Sequence, residues 1–388
     1  MIKDSLSASY ADSKPHYALL DGLRGVAALI VLWYHVFEGF SFALAQTTGS
    51  EPPIWCVNHG YLAVDFFFIL SGFVIGYAYD DRWGRSLTTA GFFKRRLVRL
   101  HPLVVLGAVI GLVFFCLQGC VQWDGHHVAT SAVMLALLAA MFMVPAVPGG
   151  CYEVRGNGEM FPLNGPCWSL FFEYVGNVLY ALVIRRLSTP VLAVLTAALG
   201  ATLAWFTIAD VSGYGMLGVG WTLDGMNFLG GLLRMLFPFT AGMLLSRVFR
   251  PKRVRGIFWW CTVALIGLLH VPYIAPEGGI CWNGVFESVC VIIIFPLMVW
   301  LAASGTTTDH RSTRICAFLG DISFPLYIVH YPVMYLFYSW LIKNRLYSLT
   351  DTWAMSLLVM GANVALAYAV LKLYDIPVRR WLTRKFIK

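Results

Sequence analysis

Arg24 and His35 are the residues whose types and spacing point most directly to chemistry. They lie in the apolar stretch 21–38, DGLRGVAALIVLWYHVFE. Eleven positions at about 100° per residue are close to three helical turns, so both side chains point the same way. A charge inside an apolar helix of membrane length is costly and rare unless it has a task. Histidine, with an ordinary pKa near neutrality, suits a general base or a nucleophile; a histidine hydrogen-bonded between helices is the plainer reading.

Further along, Asp65 sits in GYLAVDFFFILSGF and Glu173 follows Trp168-Ser169-Leu170. Intramembrane carboxylates need partners. Asp65 is a candidate to orient His35 or to pair with Arg24. Glu173 is a candidate to hold the histidine or an acceptor hydroxyl on the outer side. A structural ion pair between helices is the alternative for both. Arg95, Arg96 and Arg99 form a basic run suited to phosphate, which guanidinium grips in bidentate fashion. Ser323 and His330 are seven apart and share a helical face, so both are expected to line one cavity. They do not form a hydrolase pair, because no GxSxG turn is present. His126 and His127 are adjacent and share no face, so no metal site is indicated.

The elements that must carry these residues are membrane spans. The chain is 388 residues long, 59% hydrophobic and only 12% charged, against about a quarter charged in soluble domains. Apolar runs of about 20 residues fill most of the length. The net charge of +8 reflects basic loops beside spans and not nucleic-acid binding. The fold class is therefore an all-α polytopic membrane protein.

Loop charge gives the topology. Spans are expected at about 17–37, 60–79, 100–118, 167–186, 190–209, 228–248, 256–273, 284–303, 318–341 and 353–374. That is ten spans with both termini cytoplasmic; eleven is the alternative. The stretch 128–146 is expected to be re-entrant or to lie against the outer side, because a full crossing would put Arg185 and Arg186 outside. The organisation is a 1–16 tail, a 17–374 membrane domain and a basic 375–388 tail. Pro325 and Pro332 predict a distorted helix beside a cavity. Ser71-Gly72 predicts close helix packing. Of the nine cysteines, Cys56, Cys151 and Cys281 fall in outside loops, where sequence alone cannot pair them.

These motifs together resemble the membrane-bound acyltransferase-3 family. LDGLRGVAALIVLWYH is similar to its opening signature, an Arg followed eleven residues later by His. GYLAVDFFFILSGF, Arg96-x-x-Arg99 before Pro102, Trp168-Ser169-Leu170-x-x-Glu173 and the 320–332 stretch with Ser323, Tyr327 and His330 match later motifs in order. Asp375-Ile-Pro377 departs from the usual Glu-x-Pro. The resemblance implies a bacterial inner-membrane enzyme that moves an acyl group, often acetyl, from cytoplasmic acyl-CoA to a glycan hydroxyl outside. Exopolysaccharides, cellulose among them, and O-antigen are such acceptors. It implies His35, Arg24, Asp65 and Glu173 at the chemistry, Arg95, Arg96 and Arg99 on the CoA donor, and Trp168, Ser169, Ser323, Tyr327 and His330 around the substrate. A polysaccharide synthase or export complex is an implied partner. A flippase of a lipid-linked sugar, or a non-catalytic synthase subunit, are the competing readings.

Overall fold

A computed structural model of the chain describes residues 17–49, 58–250, 254–307 and 309–387. The 1–16 tail, Cys56, Lys252, Arg253 and Lys388 lie outside the described residues. Helices dominate: α1 (Ala18–Thr48), α2 (Ala63–Tyr79), α3 (Thr89–Leu117), α4 (Thr130–Met141), α5 (Cys167–Leu182), α6 (Thr189–Ile208), α7 (Gly225–Val248), α8 (Ile257–Leu269), α9 (Trp282–Val289), α10 (Phe295–Ala303), α11 (His310–Asn344), α12 (Leu349–Val370) and α13 (Ile376–Phe386). The one sheet among the described residues pairs β1 (Val254–Arg255) with β2 (Gly305–Thr306) in parallel.

Nine helical segments among the described residues are long and apolar enough to cross a bilayer, counting α9–α10 and α12–α13 as one segment each. The predicted 256–273 span is the 13-residue α8, about 20 Å long and short of a bilayer's hydrocarbon thickness of about 30 Å. The 12-residue α4 is likewise too short to cross alone, at about 18 Å.

Two parallel helix pairs position the site. In the first, α1 and α11 touch backbone to backbone: a Cβ on Gly25 would lie 2.3 Å from the Leu319 carbonyl oxygen. Arg24, His35 and Thr47 consequently meet Ser323, the ring of His330 and Tyr347 in ascending order. In the second, α2 and α7 are equally close. A Cβ on Gly72 would lie 2.0 Å from the Phe239 carbonyl oxygen, and one on Gly242 would lie 2.1 Å from that of Ile69. The expected packing role of Gly72 is this contact. Small residues at such crossings let dispersion and polar contacts act without a water-driven hydrophobic term.

α11 runs as one helix through both Pro325 and Pro332, where sequence predicted distortion. A proline frees the carbonyl four residues earlier. For Pro332 that is the Ile328 carbonyl, and Asn164 Nδ2 donates to it at 2.8 Å. Asn164 belongs to the 142–166 connection, whose last residues Phe161 to Pro166 are buried. This connection dips into the bundle, so α5 begins well inside the protein.

Candidate active site

Most of the candidate residues line two cavities at opposite ends of the α1–α11 pair. At the end carrying the basic loops, a cavity of about 870 Å³, counting its mouth, is lined by Arg24, Arg96, Arg99, Glu173 and Ser323 among others. The Arg24 guanidinium pairs with Asp21 at 3.0 Å and donates through Nε to Ser323 Oγ at 2.9 Å. Arg96 pairs with Glu173 at 2.6 Å, and Ser71 Oγ donates to the same carboxylate oxygen at 3.1 Å. Arg96 Nε is buried without a partner, which leaves a donor for an anionic group. Arg95 is not among the cavity's lining residues.

The second cavity, about 1060 Å³ with its mouth, is walled by aromatic rings that include Tyr34, Trp168, Trp221 and Tyr331, and it contains His35. His35 Nδ1 lies 2.6 Å from Glu38 Oε2. Glu38 also accepts from Tyr338 at 2.8 Å and from Tyr331 at 3.3 Å. A carboxylate held by two hydroxyls places the imidazole N–H on Nδ1. Nε2 is then the basic nitrogen, the arrangement of a base with its orienting acid. His330 stacks on His35 with centroids 5.2 Å apart. Its Nδ1 faces the carbonyls of Leu326 and Tyr327 and so carries the proton, while Nε2 is buried with no partner.

Val64 and Tyr327 line both cavities and form the wall between them. Tyr327 is fixed by a 2.6 Å hydrogen bond to Ser169 Oγ and by the edge of Phe67.

Several expectations change. Asp65 touches neither Arg24 nor His35: it is fully buried against Arg234, with Nη2 2.7 Å and Nε 3.2 Å from its two carboxylate oxygens. Arg234 also donates through Nη1 to the Val219 carbonyl and through Nη2 to that of Tyr61, so each of its nitrogens is engaged. Glu173 lies in the basic cavity and not beside His35, because α5 begins inside the bundle. Ser323 and His330 share a face but not a cavity. Seven residues are about 10.5 Å of helix, and Tyr327 stands between them. Ser169 and Ser323 line the basic cavity, Trp168 the aromatic one, Tyr327 both, and His330 neither. Cys151 and Cys281 carry free thiols.

Sequence reasoning gave no role to Glu38, Arg234 or Glu159. Glu38 follows His35 by one helical turn, and Arg234 is a cation inside an apolar span. Both were visible as intramembrane charges. Glu159 lies in the 142–166 connection and accepts a hydrogen bond from Tyr335. Burial pushes its carboxyl up to about 7, against the pull of Arg155.

Comparison with known proteins gives a consistent picture. A family model described as an acyltransferase domain matches residues 17–372. Protein 2 in picA locus of Rhizobium radiobacter is 37% identical over 172 residues, covering 42% of this chain and 81% of that protein. Acyltransferase MdmB of Streptomyces mycarofaciens is 27% identical over 334 residues, or 81% of this chain and 78% of that protein. Peptidoglycan O-acetyltransferase OatA of Listeria monocytogenes is 24% identical over 341 residues, or 83% of this chain and 50% of that protein. No solved structure matches the chain.

Proposed function

The chain belongs to the acyltransferase-3 family and is a multi-pass membrane acyltransferase, and from that premise we propose that it carries an acyl group, acetyl first among them, from acyl-CoA to a glycan hydroxyl across the membrane. The carrying observation is the division of labour between the cavities: arginines line one, and a carboxylate-oriented histidine among aromatic rings occupies the other. In this proposal the arginine cavity faces the cytoplasm from a bacterial inner membrane, a reading that the positive-inside bias of the basic loops supports. Two relatives carry names that fit the acceptor, a peptidoglycan O-acetyltransferase and the exopolysaccharide production protein ExoZ of Rhizobium meliloti.

In this reading Arg96 and Arg99 hold the CoA phosphates, with Glu173 and Ser71 keeping the Arg96 fork in place. Arg24 lies about 16 Å from His35 along α1, a distance for the extended pantetheine arm to span past Tyr327. At His35 the acceptor hydroxyl attacks the thioester carbonyl carbon, and Nε2 takes the hydroxyl proton. The carbon–sulfur bond breaks, and the imidazolium returns the proton to the departing CoA sulfur. Glu38 stabilises the imidazolium, and the Asp65–Arg234 pair holds α2 against α7 behind the cavity.

Purified protein in nanodiscs, given labelled acetyl-CoA, tests this. His35→Ala is expected to lower transfer about 10³-fold while donor binding is kept. The double variant Arg96→Ala, Arg99→Ala is expected to lose donor binding. Retained transfer in His35→Ala refutes the catalytic assignment, and transport of a sugar without acyl-CoA favours a flippase.

A further inference from the structure

Above the aromatic cavity lies a third concavity, an open groove of about 980 Å³ whose walls include Gln122, Gly150, Gly156, Tyr214, Thr222 and Asp224. Asn157 and Trp221 line both the groove and the aromatic cavity, so the two spaces are contiguous. The groove is built by two connections, 148–158 and 212–224, with Gln122 added from the α3–α4 connection. They are tied together by the bridge between Glu159 and Thr222 and by the 2.9 Å bond from Met160 N to the Trp221 carbonyl. Gly149 turns there at φ +70° with no atom within 4 Å of where a Cβ would stand, so the floor stays open. The Trp221 ring is held by its own Nε1, which donates to the Gly218 carbonyl at 3.1 Å.

Two buried polar atoms on these walls lack partners. Trp123 Nε1 in the aromatic cavity is an unmet donor, and Asn157 Oδ1 at the junction is an unmet acceptor. Leaving either unpaired is costly, and a ligand group that both donates and accepts satisfies both kinds. A sugar hydroxyl is such a group, and flat indole rings suit the apolar face of a pyranose. Charge narrows the class further. The guanidinium lining the aromatic cavity, Arg234, has all three nitrogens engaged by Asp65 and two carbonyls. The carboxyls there are Glu38 and Glu159, and Asp224 edges the groove, where it caps α7 through Asn227 N. Arg155 packs behind the rings of Trp123 and Tyr335 and is not itself a lining residue, so a sugar carboxylate in the cavity would face carboxyls with no lining guanidinium that has a nitrogen to spare.

We propose that the aromatic cavity and this groove form one two-part acceptor site for a neutral oligosaccharide, with one unit beside His35 and the chain continuing past Asn157 and Trp221 across the groove. The inference rests on the glycan-acylation reading and adds the acceptor's length and charge.

Full-length protein in nanodiscs, without acyl donor, is titrated with neutral linear oligomers of glucose, galactose and N-acetylglucosamine, from one to six units, by calorimetry and saturation-transfer NMR. At least one series is expected to gain about tenfold in affinity between one and three units. The double variant Gln122→Ala, Tyr214→Ala removes that gain and leaves the single sugar's affinity unchanged. The uronate oligomer of equal length binds about tenfold more weakly or worse. Length-independent affinity, equal weakening of short and long sugars by the groove variant, equal uronate binding, or no binding in any series overturns the proposal. Because no donor is present, failure of the transfer reading has a different signature: the oligomer binds with the expected length dependence, yet no acyl group moves when acetyl-CoA is added.

Discussion

The two cavities on the α1–α11 pair use the same residue types in opposite ways. In the basic cavity, each pairing leaves capacity to spare: Arg96 pairs with Glu173 through one nitrogen while its Nε has no partner. In the aromatic cavity, all three nitrogens of Arg234 are engaged by Asp65 and two backbone carbonyls, and the group proposed to act is the His35 ring oriented by Glu38. A guanidinium with an unpartnered nitrogen can bind a ligand, whereas one with every nitrogen engaged is part of the frame. The number of arginines in a membrane protein therefore says less than how many of their donors are already taken.

Breaking the frame should have the largest effect. Arg234→Met leaves Asp65 buried and unpaired, and is expected to cost about 3–5 kcal/mol of stability, read as a large fall in melting temperature in detergent. Asp65→Leu with Arg234→Met removes both charges and should recover most of it. No recovery would mean that the pair matters for more than mutual neutralisation. Next comes orientation. Glu38→Gln is expected to lower the rate of transfer about 10²-fold with acetyl-CoA affinity unchanged, and an equal loss of donor affinity would erase the functional boundary between the cavities.

The smallest effect concerns pH. A carboxyl whose folded pKa lies near 7, above its ordinary value near 4.3, binds more protons folded than unfolded in that interval. Its contribution is complete below the ordinary value and is lost as pH rises through about 7. Melting temperature should therefore drop by a few degrees between pH 5 and 8, and Glu159→Gln should flatten that slope.

Much of this is legible in the sequence. Apolar run lengths and the basic loops gave the helical class, and the eleven-residue interval gave the shared face of Arg24 and His35. Arg96 and Arg99 were readable as a pair because they are local in the chain. For Asp65 the structural ion pair between helices, the alternative open in the sequence, is the one formed; its partner, Arg234, is 169 residues away, and nothing local marks such a pair. Glu173 was placed at the wrong end because span counting assumes that helices start at a membrane surface, whereas α5 starts inside after a buried connection. Glu38 was readable: an acid one turn after a histidine in an apolar helix is a neighbour by geometry.

The wall at Val64 and Tyr327 has an electrical consequence. With the two cavities opening to opposite faces, as proposed, aqueous potential reaches deep into the protein and the membrane voltage falls mainly across the thin dry layer between them. A charge moved through that layer does work of about 2.3 kcal/mol per 100 mV. An acyl thioester is uncharged and crosses without that work, while the CoA phosphates and protons do not. In the proposed two-sided reaction, the same side chains that stand between donor and acceptor therefore also act as insulation against a leak.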